Sequence, residues 1–230
     1  MTILVICAVA AERDAVVRNF GPARDVSASP FTGLAVDTPA GELHAFSVGV
    51  GPVAAAIGTA ALLTGDYEMV VSAGIAGGFR GRVAIGDVVL ANLATYADLG
   101  VRVEGGFLTP RDMGIDQDSS LAFGDQRLID RMEAGPATVL VGQVLTLSAM
   151  TGTDADADEL ATRYPRALAE AMEGFAVIAA AGSDHGLRYV AEIRAISNII
   201  GRRDRSTWNI PLAFDALADA MSTLLNEPLP

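Results

Sequence analysis

Three polar residues stand directly after apolar runs in this chain: Glu12 behind Thr2–Cys7, Glu173 behind Ala167–Met172, and Asn198 at the end of Arg188–Ser197. Open α/β sheets do their chemistry in the crevice beyond the carboxyl ends of their strands. A carboxylate can accept a proton or grip a hydroxyl there, and an amide can donate and accept at once. Each carboxylate alone reads as a solvated helix start; three strand ends converging on one crevice favour a functional site. Arg194 lies within the last run. Beyond it come Arg202, Arg203, Arg205 and Trp208, either a solvated or intersubunit face or a reader of an anionic, aromatic ligand.

Composition narrows the chemistry. The 230 residues carry a net charge of -12, which argues against nucleic acid or an anionic membrane as partner. All 16 basic residues are arginine, which excludes Schiff-base lysines, lysine bases and a phosphate-loop lysine. Cys7 is the single cysteine, so no intrachain disulfide can form, and the cytoplasm is the natural compartment. Cys7, His44 and His185 make no metal-ligand spacing, so no metal and no cofactor is expected. The uncharged run Ala45–Gly65 contains Gly49, Gly51 and Pro52 and reads as strand, turn and buried helix, not a membrane span. Met1–Ile6 lacks a basic leader and reads as a first strand.

The elements that must position these residues alternate along the chain. Strands are predicted at Thr2–Cys7, Phe31–Val36, Glu42–Val48, Met69–Ser72, Asp87–Tyr96, Ala137–Leu147, Ala167–Met172 and Arg188–Ser197. Helices are predicted at Ala10–Asn19, Val53–Leu63, Leu121–Glu133, Asp154–Arg163, Glu173–Gly182 and Pro211–Leu225. Ser72–Phe79 reads as a Gly-rich turn and Gly100–Asp118 as a mobile loop. The acidic run Asp154–Glu159 reads as a helix start at the positive end of its dipole. The whole predicts one α/β domain over residues 1–230, a three-layer α/β/α sandwich around a mixed, largely parallel sheet. No dinucleotide fingerprint fits: the first strand runs into Ala8-Val9-Ala10-Ala11-Glu12 without glycine, and the turn at Gly74 leads into no helix.

Ala8–Glu12, Ser72–Gly78, Ala171–Gly174 and Ile193–Asn198 occur in an order that resembles the nucleoside phosphorylase/nucleosidase superfamily along essentially the whole chain. The stretch from Ser197-Asn198 through Gly201, Arg203-Asp204-Arg205 and Trp208 resembles its futalosine-hydrolysing members, which release hypoxanthine on the route to menaquinone. The resemblance implies an N-ribosyl hydrolase acting on a small nucleoside, and a homodimer or larger assembly. It implies that Glu12 activates water, that Glu173 beside Met172 grips the ribose hydroxyls, that Arg194 lies near the water, and that Asn198 faces the purine N7 edge. Gly77 and Met150 fall in the substrate-binding segments. Adenine-releasing relatives carry Asp at the position of Asn198, commonly Ser at Ile75, Glu at Ala171, and an aromatic near Ser148-Ala149-Met150. Purine stacking must then come from Phe79, Phe175 or Trp208, or give way to contact with Met150.

Hypoxanthine presents two acceptors, N7 and O6, and an amide NH₂ can face both, whereas an ionised carboxylate would repel them. Asn198 therefore points to a 6-oxopurine, and one of the arginines near Arg203 to the carboxylate at the substrate's far end. Val70–Ile75 lacks the Arg and the Ser of a phosphorylase's phosphate pocket, which favours water as nucleophile. The alternatives are a methylthioadenosine/S-adenosylhomocysteine nucleosidase, a purine nucleoside phosphorylase, and a non-catalytic nucleoside-binding or storage protein on the same fold.

Overall fold

A computed structural model describes residues 1–63, 67–115, 119–135, 138–182 and 187–229. Strand β1 (Thr2–Cys7) shows why the sheet lies between helices. Ile3, Val5 and Cys7 enter a core with α1 (Ala10–Val17), α3 (Gln126–Glu133) and α6 (Ile210–Leu225). Leu4 and Ile6 enter another core with α2 (Pro52–Leu62) and α5 (Gly174–Ala181). The period-two alternation of a strand whose faces are both apolar dictates this layering.

The main sheet runs β11 (Ala167–Ala171), β10 (Val139–Thr146), β6 (Val88–Tyr96), β12 (Tyr189–Ile199), β5 (Met69–Gly78), β1, β4 (Gly41–Ser47), β3 (Phe31–Thr38), β2 (Arg24–Ala28). Pairing is parallel at β1–β4, β1–β5, β5–β12, β6–β10 and β10–β11, and antiparallel at β6–β12 and along β2–β3–β4. An additional antiparallel pairing, Ala169 with Gly78 and Glu170 with Gly77, joins β11 back to β5 and closes five strands into a ring. Ala76, Val89, Ala91, Val144, Ala169, Ala171 and Ile196 form one packed cluster from these five strands. Helix α4 (Asp154–Arg163) starts at Thr153, whose hydroxyl accepts from the Asp156 amide, so the acidic run is the start of a helix.

Four segments differ from the sequence-based expectation. β5 continues through the glycines to Gly78, because a Cβ at Gly77 or Gly78 would strike Ile200 or Val83: these glycines admit a closely packed neighbour instead of turning the chain. Leu121 lies in an edge strand, β9 (Ser120–Ala122), and the helix begins only after Gly124 (φ +131°), with Asp125 capping the Arg127 amide. The segment read as a loop holds a short hairpin, β7 (Val101–Val103) and β8 (Gly106–Leu108), turned at Gly105; residues 116–118 lie outside the described residues. β2 carries Arg, Asp and Ser and was not foreseen as a strand. Ala137, Gly65 and His185 fall outside the described residues. No helix among the described residues is long and apolar enough to cross a membrane.

Candidate active site

Glu12 stands in the first turn of α1, where the β1 strand end delivers it, and is 4 % exposed. One carboxyl oxygen accepts from the Ala8 amide (3.0 Å) and the Val9 amide (3.2 Å), the other from the Ile75 amide of β5 (2.9 Å). The carboxylate thus spans the crevice between β1 and β5 on fixed backbone donors. Burial pushes its proton affinity up; the Arg194 guanidinium and the Ile75 N–H pull it part of the way back.

Glu173 is the residue before α5 and is also buried. Its Oε1 accepts from the Gly51 amide at 3.1 Å, and its Oε2 faces the Met172 amide and Arg194 Nη1, each at 3.3 Å. Gly51 has φ +96° and leads directly into Pro52 of α2; this left-handed turn, which favours glycine, aims the amide at the carboxylate.

Arg194 joins the carboxylates. It is 1 % exposed, and its three nitrogens face Glu192 Oε1 (3.0 Å), Glu173 Oε2 (3.3 Å) and the Ser72 hydroxyl (2.9 Å). Burial works against its charge, but Glu192, Glu173 and Glu12 outweigh that and hold its proton more tightly than usual. Gly74 lies between the groups: a Cβ there would fall 2.5 Å from a Glu12 oxygen and 2.8 Å from Arg194 Nη1. Glycine leaves the space in which acid and guanidinium face each other across the strand. Glu192 is fully buried, raised by that burial, and its Oε2 has no hydrogen-bond partner among the described residues. Neither Glu192 nor Ser72 was singled out from sequence: each is a polar residue in the middle of an apolar strand, and the spacing Glu192-x-Arg194, which puts both on one strand face, was the available signal.

Asn198 owes its placement to a bulge. Ile196 pairs with Ala76 and Asn198 with Gly77, so Ser197 is an extra residue that re-aims the strand end. The Ser197 hydroxyl lies 2.8 Å from Asn198 Oδ1 and 3.2 Å from the Ala76 carbonyl and can donate its one proton to either; among the described residues Nδ2 has a long contact, 3.5 Å, to the Ile199 carbonyl. Its NH₂ therefore keeps donor capacity beside Gly77.

The structure brings Glu12, Glu173, Met172 and Arg194 together, and sets Asn198 against Gly77. Met150 is half-buried, next to Thr151. Phe79 is removed from the list of stacking candidates: it is 1 % exposed, packs with Leu145, Leu160 and Ile200, and carries Arg82 over its ring at 4.8 Å. Phe175 tilts against Tyr96, ring centroids 5.7 Å apart, along a groove between α2 and α5. Trp208 is half-buried with the guanidinium groups of Arg203 (5.1 Å) and Arg205 (5.9 Å) over its ring. This loop is tied at both ends: the Arg203 amide donates to the Gly152 carbonyl and the Asn209 amide to Ser197. Among the described residues no group of three His, Cys, Asp or Glu is placed to hold a metal ion.

Comparison with known proteins places this geometry. The phosphorylase superfamily matches residues 2–227. A futalosine hydrolase of Streptomyces coelicolor is 42 % identical, covering 97 % of this chain and 95 % of its own. A futalosine hydrolase of Thermus thermophilus is 35 % identical over 78 % of this chain and 79 % of its own. The solved futalosine hydrolase of Helicobacter pylori superposes with a TM-score of 0.83 at 14 % identity, covering 98 % of each chain. A Streptococcus pneumoniae methylthioadenosine/S-adenosylhomocysteine nucleosidase in complex with 8-aminoadenine gives 0.83 at 22 %, covering 98 % of this chain and 99 % of its own. The fold is that of the nucleosidases of the phosphorylase superfamily. The chain belongs to that superfamily and, within it, to the futalosine hydrolase family.

Proposed function

We propose that this enzyme hydrolyses the N-ribosidic bond of futalosine and releases hypoxanthine. The observation that carries the reading is the pair of buried carboxylates, Glu12 and Glu173, gathered near Arg194 with their oxygens fixed by backbone N–H groups. Glu12 accepts a proton from water as its oxygen bonds to the anomeric carbon. The carbon–nitrogen bond breaks with its electron pair leaving on the purine, and the purine takes up a proton. A held base of this kind is worth about 10²–10⁴-fold. Glu173 accepts from the ribose hydroxyls, and its negative charge favours the cationic sugar of the transition state. The Asn198 amide donates toward N7 and O6 as charge grows on the base.

Water is preferred over phosphate as nucleophile because Val70–Ile75 offers neither the Arg nor the Ser of a phosphate pocket, and three of the five Arg194 N–H groups already face Glu192, Glu173 and Ser72. Arg203, exposed and stacked on Trp208, is the proposed reader of the substrate's carboxylate. The proposed assembly is a homodimer through the α2–α5 face, where Val53 is 70 % and Ile57 62 % exposed beside Phe175.

Incubation with futalosine, inosine and methylthioadenosine, with and without phosphate, tests the reading. Phosphate-independent hypoxanthine release from futalosine supports it. Faster adenine release, or strict dependence on phosphate, rejects it.

A further inference from the structure

Glu192 is a fully buried carboxylate that the proposed mechanism does not use. It lies two residues before Arg194 on β12, further from the strand's carboxyl end, and its Oε1 accepts from Arg194 Nε at 3.0 Å. Residues two apart on a strand share a face, so the pleat itself brings acid and guanidinium together. The same carboxylate rests on the head of α5: a Cβ on Gly174 would strike both of its oxygens. One side chain thus touches the guanidinium and the residue that follows Glu173.

Charge does not account for this acid. Arg194 has Glu173 at 3.3 Å and also feels Glu12, so the guanidinium is outnumbered before Glu192 is counted. Helices α2 and α5 carry no titratable side chain, Cys7 on β1 is a buried thiol, and Arg13 on α1 is paired with Asp14. Three buried carboxylates therefore share one buried cation, and a third acid adds desolvation and repulsion. Burial raises the proton affinity of Glu192, with Arg194 pulling it part of the way back. Its Oε2 has no hydrogen-bond partner among the described residues. What Glu192 contributes is one acceptor in one place. With Nε tied from behind, the guanidinium plane is fixed and its Nη groups are turned to Ser72 and Glu173. Nη1 then borders the space over Gly74 that the Glu12 carboxylate borders too.

We propose that Glu192 is a positioning residue for the hydrolysis: by anchoring Arg194 Nε it aims the guanidinium at Glu173 and Glu12. This rests on the hydrolase reading above. The role is one of direction and not of charge. The charged groups facing Glu12 are Arg194 and Glu173. A guanidinium released at Nε turns away from Gly74, and Glu12 loses the pull that offsets its burial. Its pKa then rises. Ionised Glu12 is the working form, so the acid limb of kcat moves to higher pH.

The test separates direction from charge with two conservative changes, Glu192→Asp and Glu192→Gln, each checked by thermal melting. Asp keeps the charge but withdraws the acceptor by one methylene. Its kcat for hypoxanthine release from futalosine is expected to fall about 10- to 100-fold, and its acid limb to move up by about half to one pH unit. KM should change only a few-fold, because Glu173 keeps the Gly51 and Met172 amides. Gln keeps the acceptor and drops the charge. It is expected to exceed the Asp variant about tenfold in kcat, with an acid limb no higher than that of the wild type. Each variant decides alone. A folded Glu192→Asp whose limb stays within about 0.2 pH units of the wild type overturns the assignment, and so does a folded Glu192→Gln whose limb rises by half a unit or more, about the shift expected of Asp. A wild type that releases no hypoxanthine from any nucleoside rejects the hydrolase reading itself. An active wild type with either of those variant results rejects only the role of Glu192.

Discussion

Around Glu12, Glu173 and Arg194 the side chains are buried and the donors that hold them lie within 3.3 Å, most of them backbone amides. Around Arg202–Trp208 the arginines are exposed, and their recorded ring contacts are to one tryptophan. Both regions are rich in charge, yet they answer different demands. On the proposed reading the first holds a proton acceptor, its water and a sugar in one geometry, which calls for donors that do not move. On the same reading the second meets a long substrate's outer end, where solvent screens charge and precision matters less. Chemistry is concentrated where the strands fix the atoms, and reach where the loop leaves them accessible.

The deepest cut into this contrast is Glu12→Gln. It should lower kcat by about 10²–10⁴-fold with KM altered only a few-fold, as steady-state hypoxanthine release would register. In the wild type, kcat should fall with acid through a limb above the ordinary glutamate range. The sign follows from the chemistry: the ionised form does the work, burial raises its pKa, and activity is lost as pH falls through that raised value. Next comes Arg194→Met, which strands Glu173 and Glu192 in the interior. Removing one partner of a buried pair costs about 3–5 kcal/mol, visible as a lowered melting temperature. Asn198→Asp should leave stability nearly unchanged and move selectivity toward 6-aminopurines by about tenfold or more, measured as a ratio of kcat/KM values. Arg203→Ala should do least: a few-fold rise in KM for futalosine, kcat retained, and a weaker effect at high salt. An Arg203 effect on kcat as large as that of Glu12 would erase the distinction between the two regions.

The alternation of strand and helix was readable because both faces of β1, β5 and β12 carry apolar side chains in step with the pleat. Glu12, Glu173 and Asn198 could be named because they sit at or just past strand ends, where a polar residue interrupts an apolar run; Arg194, in the middle of β12, was named through the family resemblance. The ring was not readable. Its closing pairs, Ala169–Gly78 and Glu170–Gly77, join segments that no local pattern connects, and without them Glu170 is one polar residue in an alanine-rich strand. The glycines at 74, 77 and 78 carried a double meaning: local propensity reads them as a turn, whereas the fold uses the absent side chains to seat Glu12, Ile200 and Val83. Phe79 was misleading for a related reason, since an aromatic beside glycines suits a stacking surface as well as it suits the core where it lies. Short edge strands such as β7–β9 lie below the length at which alternation can be recognised.

The closing contact of the ring has a consequence for how the protein acquires activity. Glu170 and Gly77 are roughly ninety residues apart along the chain, and such pairings form slowly because a long loop must be ordered before the contact gives any return. The half of the sheet that holds Glu12 against Ile75 depends on shorter-range pairings of β1, β4 and β5. During refolding, water-side structure should therefore become protected from hydrogen exchange before the base-side wall does. β12 reaches β5 from still farther along the chain, Asn198 pairing with the same Gly77, so on the proposed reading competence to bind purine reports the long-range pairings on both sides of Gly77 and not the formation of the sheet as a whole.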